Sequence, residues 1–162
     1  MSKIKTIAEL SEGWLSNVKI GLCSGCFDLL HVGHMKHLEA AKSACDILIV
    51  AVASNENANK GPNRPAFDEK LRMEALACLE SVDYVCLNID VDSVALIKSI
   101  KPDYYIKGSE YRNKKLDING KIAQEKAAVE EHGGKLIFTD EQVFSSTKLI
   151  NEFINKKEKI DL

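Results

Sequence analysis

Residues 20–38 read IGLCSGCFDLLHVGHMKHL. The opening five are apolar or small, and they read as a strand running into a Gly-containing loop. From residue 33 to about residue 44, Met35, Leu38, Ala41 and Lys42 suggest a helix with one apolar face. Residues 46–54, DILIVAVAS, are a continuous apolar run, as in a strand buried on both faces of a parallel sheet. Residues 55–66 are polar, carry Gly61, Pro62 and Pro65, and read as a loop. Residues 68–79 are helical, with Leu71, Ala75, Leu76 and Leu79 at three- and four-residue spacings. Strands at 83–87, 104–107 and 135–138 follow. Between and after them come helices at 92–100, 121–132 and 146–155, the first stopping before Pro102 and the second at Gly133 and Gly134. Strands alternating with helices predict an α/β fold: a Rossmann-like, doubly wound, parallel five-stranded sheet. Such sheets bind ligands beyond the carboxyl ends of their strands, where strand order reverses, so the loop after the first strand is the place to look.

Composition limits the classes to consider. The chain has 162 residues and 45% hydrophobic content, enough for one domain with a real core. We expect a single domain over residues 1–162, with its core at about 19–155 and a frayed helix end at the terminal KKEKIDL. The net charge of -2 gives no global pull toward nucleic acid or an anionic membrane, and neither is an expected partner. No apolar run reaches the roughly 20 residues that span a bilayer. The N-terminal MSKIKTIAELSEGW lacks the pattern of a signal peptide. The five cysteines, an odd number mostly in apolar segments, fit buried free thiols in a reducing cytoplasm.

His31 and His34 flank Val32 and Gly33 just where a helix begins. A helix start offers unpaired N–H groups and a partial positive charge, and so favours phosphate. Two imidazoles there can donate to phosphate oxygens, and Gly33 allows close approach. The chemistry that suits this cradle is displacement at an α-phosphorus, with an anionic phosphate attacking a nucleotide and pyrophosphate leaving. Such a site must hold two anions in line and stabilise the transition-state charge. Mg²⁺ is expected on the triphosphate, held by phosphate oxygens and water, with no protein metal ligands.

GCFDLLHVGHMKHLEAAK resembles the first motif of the cytidylyltransferase-like nucleotidyltransferase superfamily, whose signature is H-x-G-H. The resemblance extends over roughly residues 19–153. Two branches are most similar: the adenylyltransferase domain of ADP-heptose synthase, and glycerol-3-phosphate cytidylyltransferase. The resemblance implies transfer of a nucleoside monophosphate from ATP or CTP to a phosphorylated sugar or polyol, for an envelope or capsule precursor, and it implies a homodimer. It implies that His31 and His34 contact the triphosphate, and that Cys26 and Phe27 begin the phosphate-binding loop, with Gly33 in the turn. Lys60, in KGPNRPAF, matches a lysine that reaches the phosphates and acts with the histidines in catalysis. Arg72 matches an arginine that binds phosphate or acceptor. IKGSEYRN resembles the K-G-G-D-Y segment of the heptose branch, which implicates Lys107, Gly108 and Glu110. FSSTKLI matches I-S-T-T-K-I, so Ser145, Ser146 and Thr147 would cap a helix and hydrogen-bond the β- and γ-phosphates. The cytidylyltransferase branch carries an R-T pair before that segment, where this chain has Asp140 and Glu141. A carboxylate cannot do arginine's work on a triphosphate, so ATP is favoured over CTP.

Other readings compete. Cys23 and Cys26 form a C-x-x-C, as in a thiol oxidoreductase. Cys23, Cys26, His31 and His34 could ligate zinc. A nucleotide sensor without turnover would use the same fold. Asp28 reads as structural, orienting a histidine or capping the loop; His37 reads as a helix-surface residue, and His132 as a cation at a helix C-terminus. Trp14 and Tyr104–Tyr105 read as packing residues.

Overall fold

The computed structural model describes residues 2–14, 17–58, 61, 64–112 and 119–140. Five strands are present among them: β1 (Ile20–Gly25), β2 (Ile47–Ala53), β3 (Tyr84–Asn88), β4 (Tyr104–Lys107) and β5 (Lys135–Phe138). The helices are α1 (Ile7–Ser11), α2 (Val32–Ser43), α3 (Glu69–Ala77), α4 (Val94–Ile100) and α5 (Lys121–Glu130). Every element expected from the sequence within this range is present. The helix expected at 146–155 lies outside the described residues.

One element escaped the sequence reading. Helix α1 is a single short turn built on a capping box, in which Thr6 accepts from Glu9 N and the Glu9 carboxylate accepts from Thr6 N. Ahead of it, Lys5 N donates to Val85 O and Val85 N to Lys3 O, which adds a short bridge along β3.

All strand pairs are parallel, in the order β3-β2-β1-β4-β5. The chain winds outward from β1 to β3, then crosses back to β4 on the other side of β1. The switch therefore falls between β1 and β4, as expected. The inner strands β1 and β2 are buried on both faces. Ile20, Leu22, Ile49, Ala51 and Tyr105 pack toward α1, α4 and α5. Cys23, Leu48, Val50, Val52 and Ile106 pack toward α2 and α3. The period-2 alternation of a strand thus feeds two cores at once, which explains why residues 47–53 show no polar face.

Gly21 is closely packed between Cys45, just past α2, and β4. A Cβ there would lie 2.6 Å from Cys45 Sγ and 3.1 Å from Ile106 Cδ1. The Cys45 thiol is engaged with Ala41 O at 3.3 Å. Gly21→Ala gains about 0.4–1 kcal/mol through the unfolded chain, but overpacking costs about 1–3 kcal/mol. We expect a net loss of about 1 kcal/mol in urea denaturation, partly recovered when Cys45→Ala is added.

A candidate nucleotide site at the carboxyl edge of the sheet

Beyond Gly25 the chain turns sharply. Phe27 has φ 49, a left-handed conformation that costs a non-glycine residue energy and persists only where its surroundings hold it. They do so here. Phe27 is buried, and its ring lies 5.5 Å from that of His34. Arg72 Nη1 donates to Cys26 O at 2.7 Å from behind the loop.

The loop delivers His31 as the N-cap of α2. Its Nδ1 accepts from Gly33 N at 3.1 Å, which places the proton of the neutral ring on Nε2 and makes that atom a donor. The His31 and His34 rings stack, with centroids 4.0 Å apart and planes 28° from parallel. The two imidazoles are thus side by side at the positive end of a twelve-residue helix.

Burial lowers the His31 pKa. A proton on Nδ1 would also displace the Gly33 bond. The neutral ring is therefore the folded form, and its contribution is present above the unfolded pKa of about 6.5 and lost as pH falls through the lower folded value. We expect stability to drop by about 1 kcal/mol, the worth of an N-cap, between pH 7.5 and acidic pH below that window. His31→Asn, which keeps an acceptor without titrating, should flatten that part of the profile in urea melts.

Asp28 is 6% exposed. It accepts from Arg64 Nε at 2.9 Å, Ala66 N at 2.9 Å and Phe67 N at 3.0 Å. Burial alone would raise its pKa, but the two backbone donors and the guanidinium outweigh that and lower it. Asp28 thus ties residues 64–67 to the loop after β1. Lys60 itself, with Ser145, Ser146 and Thr147, lies outside the described residues.

Two expectations require correction. Arg72 is 1% exposed, and its guanidinium is spent on Phe67 O, Cys26 O and Asn55 Oδ1. It supports the loop and offers phosphate no accessible donor. His37 is not a free surface residue: its Nδ1 is 2.8 Å from Thr139 Oγ1, tying α2 to the end of β5. His132 lies two residues beyond α5, with its Nε2 2.8 Å from Pro102 O.

A cleft of about 410 Å³ opens beside the loop, at the ends of β1, β2, β3 and β4, where Ser24, Ala53, Asn88 and Lys107 meet. Gly25 and Cys26 line it, and the chain runs on from them to the histidine pair at the start of α2. Lys107 lines the cleft, 3.4 Å from the Glu125 carboxylate and 5.1 Å from the ring centroids of Tyr105 and Tyr111. Gly108 is buried, and a Cβ there would collide with the Glu110 carboxylate folded over it. Glu110 is exposed on a 3-10 turn, Ser109–Arg112. Asp140 pairs with Arg112 at 2.6 Å.

Glu125 escaped the sequence reading. The signal was a carboxylate on the same helix face as Ala128 and Val129, where an apolar residue is the rule.

The sulfur readings meet a geometric obstacle. Cys23 is fully buried in β1 on the face covered by α2 and α3, whereas Cys26 lies in the loop. Among the described residues no three His, Cys, Asp or Glu side chains are grouped to hold a metal ion. Burial also pushes the Cys45 thiol up to about 11 and the Cys86 thiol to about 12, which keeps both un-ionised.

A doubly wound sheet with an H-x-G-H helix start at its switch point defines a class, and the family comparison agrees. Residues 22–152 match the cytidylyltransferase-like family model, and the chain belongs to this family of nucleotidyltransferases. Among individual relatives, it is 38% identical over 147 residues to the bifunctional protein HldE of Bradyrhizobium diazoefficiens, covering 89% of this chain and 28% of that one. It is 43% identical over 122 residues to the protein of the same name from Sulfurimonas denitrificans, covering 74% and 25%. The chain therefore spans little more than a quarter of the relatives it matches. Among solved structures, it resembles the lipopolysaccharide core biosynthesis protein of Thermoplasma volcanium, with TM-score 0.64, 26% identity and coverage of 78% of this chain and 100% of that one. Pantoate-beta-alanine ligase of Francisella tularensis shares the fold, with TM-score 0.63 at 18% identity over 97% of this chain and 78% of that one. Among the described residues no helix is long and apolar enough to cross a membrane.

Proposed function

We propose that the protein transfers a nucleoside monophosphate, AMP in preference to CMP, to a phosphorylated sugar or polyol and releases pyrophosphate. The observation that carries this is the stacked His31–His34 pair at the start of α2. An oxygen of the acceptor phosphate forms a bond to the α-phosphorus, the bond to the α,β-bridging oxygen breaks, and pyrophosphate leaves with the electron pair. The imidazole donors and the helix terminus stabilise charge on the equatorial oxygens. Lys60 bridges donor and acceptor phosphates, and Ser145, Ser146 and Thr147 hold the triphosphate tail. The backbone at Cys26 and Phe27, with Gly33, lets the phosphates approach closely.

The donor set around α2 consists of N–H groups, which suit phosphate and not a divalent cation. Mg²⁺ accordingly enters with the nucleoside triphosphate, as part of the substrate. The resemblance of residues 106–113 to the heptose branch supports ATP and a sugar-phosphate acceptor, and the likeness to a lipopolysaccharide core biosynthesis protein supports an envelope precursor made in the cytoplasm.

The test is a pyrophosphate-release screen that crosses four nucleoside triphosphates with sugar and polyol phosphates. Release with ATP and one acceptor class is expected. Tight nucleotide binding with no release across the panel would favour a sensor on the same fold and sink the transferase reading.

A further inference from the structure

The cleft beside the phosphate loop has its own chemistry. Among the described residues its charged lining is three carboxylates, Asp90, Asp92 and Glu125, against two ammonium groups, Lys107 and Lys121. That near balance offers a triphosphate no net attraction and suits an uncharged body. The rim is already fixed: Lys121 Nζ donates to Val91 O at 3.0 Å, and Asn57 Nδ2 to Ile89 O at 2.9 Å. Asn88 is spent on its own loop, with Nδ2 donating to Asp92 O and Oδ1 accepting from Asp90 N.

Polar capacity is concentrated on the floor. The Glu125 side chain is 5% exposed, on the sheet-facing side of α5, with one ion pair, to Lys107. The Tyr105 hydroxyl is fully buried, faces Ser93 and Glu125, and makes no hydrogen bond of good geometry. Ser93 Oγ donates to Ser24 Oγ at 2.8 Å, so both hydroxyls belong to the same cluster. Ser93 makes no side-chain capping bond to α4. Beyond Lys107 and the facing Tyr105 hydroxyl, the two Glu125 oxygens keep lone pairs that further donors can reach. An acceptor-only group in a preformed polar cleft calls for hydroxyl donors.

We propose that this cleft holds the body of the acceptor, and that Glu125 determines specificity by accepting hydrogen bonds from its hydroxyls. The acceptor is therefore polyhydroxylated and uncharged apart from its phosphate, which points past Cys26 toward the histidines. Ser93 and Ser24 contact the same hydroxylated body. This deepens the transferase reading and rests on it.

The test measures binding separately from turnover. Dissociation constants for ribitol 5-phosphate, mannose 1-phosphate and ethyl phosphate are compared by titration calorimetry on the full chain, alongside α,β-methylene-ATP. At least one polyhydroxylated ester should bind about tenfold or more tighter than ethyl phosphate, as expected for one or two hydrogen bonds to a charged group. In Glu125→Gln, which keeps the shape, that ratio should fall toward one, and in Ser93→Ala it should fall severalfold. The affinity for α,β-methylene-ATP should change by no more than about twofold. The proposal is overturned if no polyhydroxylated ester outbinds ethyl phosphate. Equal losses for all three esters in Glu125→Gln would overturn it too, since the residue would then act only through Lys107. A selective loss of nucleotide affinity would instead put the nucleoside in the cleft. Pyrophosphate release is read independently: selective binding without release condemns the transferase reading and leaves the cleft assignment standing.

Discussion

His34→Ala is expected to lower turnover by about 10²–10⁴-fold while leaving the protein folded. The ring of His34 lies between Phe27, at 5.5 Å, and His31, at 4.0 Å, at the start of α2. What the substitution removes is a preorganised donor at the place where the helix terminus already favours negative charge. Its packing role is smaller. Such ring contacts are each worth about 0.5–1.5 kcal/mol, so the melting temperature should fall only modestly. On the proposed mechanism the deficit lies in kcat, because the added charge on the α-phosphate exists only in the transition state. His31→Ala should cost about as much and destabilise further, since His31 is also the N-cap. The double variant should fall well short of the product of the two, as for groups that act as a unit. Steady-state rates beside urea melts decide the matter. A His34→Ala protein with near-native kcat would remove the histidine pair from the chemistry.

Much of the fold was readable because each strand carries its own boundary. Residues 47–53 are apolar throughout, Pro102 and the pair Gly133–Gly134 end helices, and β4 and β5 fall where their short apolar runs predict. The histidine pair was readable because its two members are three residues apart at a helix start, where local spacing fixes geometry. What could not be read depends on contacts distant in sequence. Arg72 and Cys26 are 46 residues apart, and nothing local reveals that the arginine points inward. His37 lies 102 residues from Thr139. Asp28 reaches 36 to 39 residues forward to clamp its loop. Helix α1, at five residues, is too short for periodicity to show, although its T-x-x-E capping box was legible.

Arg72→Ala separates the two roles considered for this residue. Within the fold, its three donors hold Phe67 O, Cys26 O and Asn55 Oδ1 at 3.0, 2.7 and 3.0 Å. Asn55 in turn accepts from Glu69 N, and Asn55 N donates to Glu69 Oε2, so the guanidinium joins the ends of β1, β2 and α3. Removal strips the donor from Phe67 O and Cys26 O, while Asn55 Oδ1 keeps Glu69 N, and leaves a cavity in a side-chain site that is 1% exposed. Losses of about 3–5 kcal/mol follow from the cavity and the unsatisfied acceptors together. For a domain of this size that is a large part of the total stability. Arg72→Lys should recover little, because one ammonium cannot span three acceptors arranged for a planar fork. The strained turn at Phe27 depends on the same support, so turnover should fall even at temperatures where the variant remains folded, through a displaced phosphate loop. A phosphate-binding arginine predicts another pattern: near-native unfolding in urea with a large loss of nucleotide affinity, partly restored by lysine. Denaturation and nucleotide titration on the two variants distinguish these cases, and the buried geometry commits to the first.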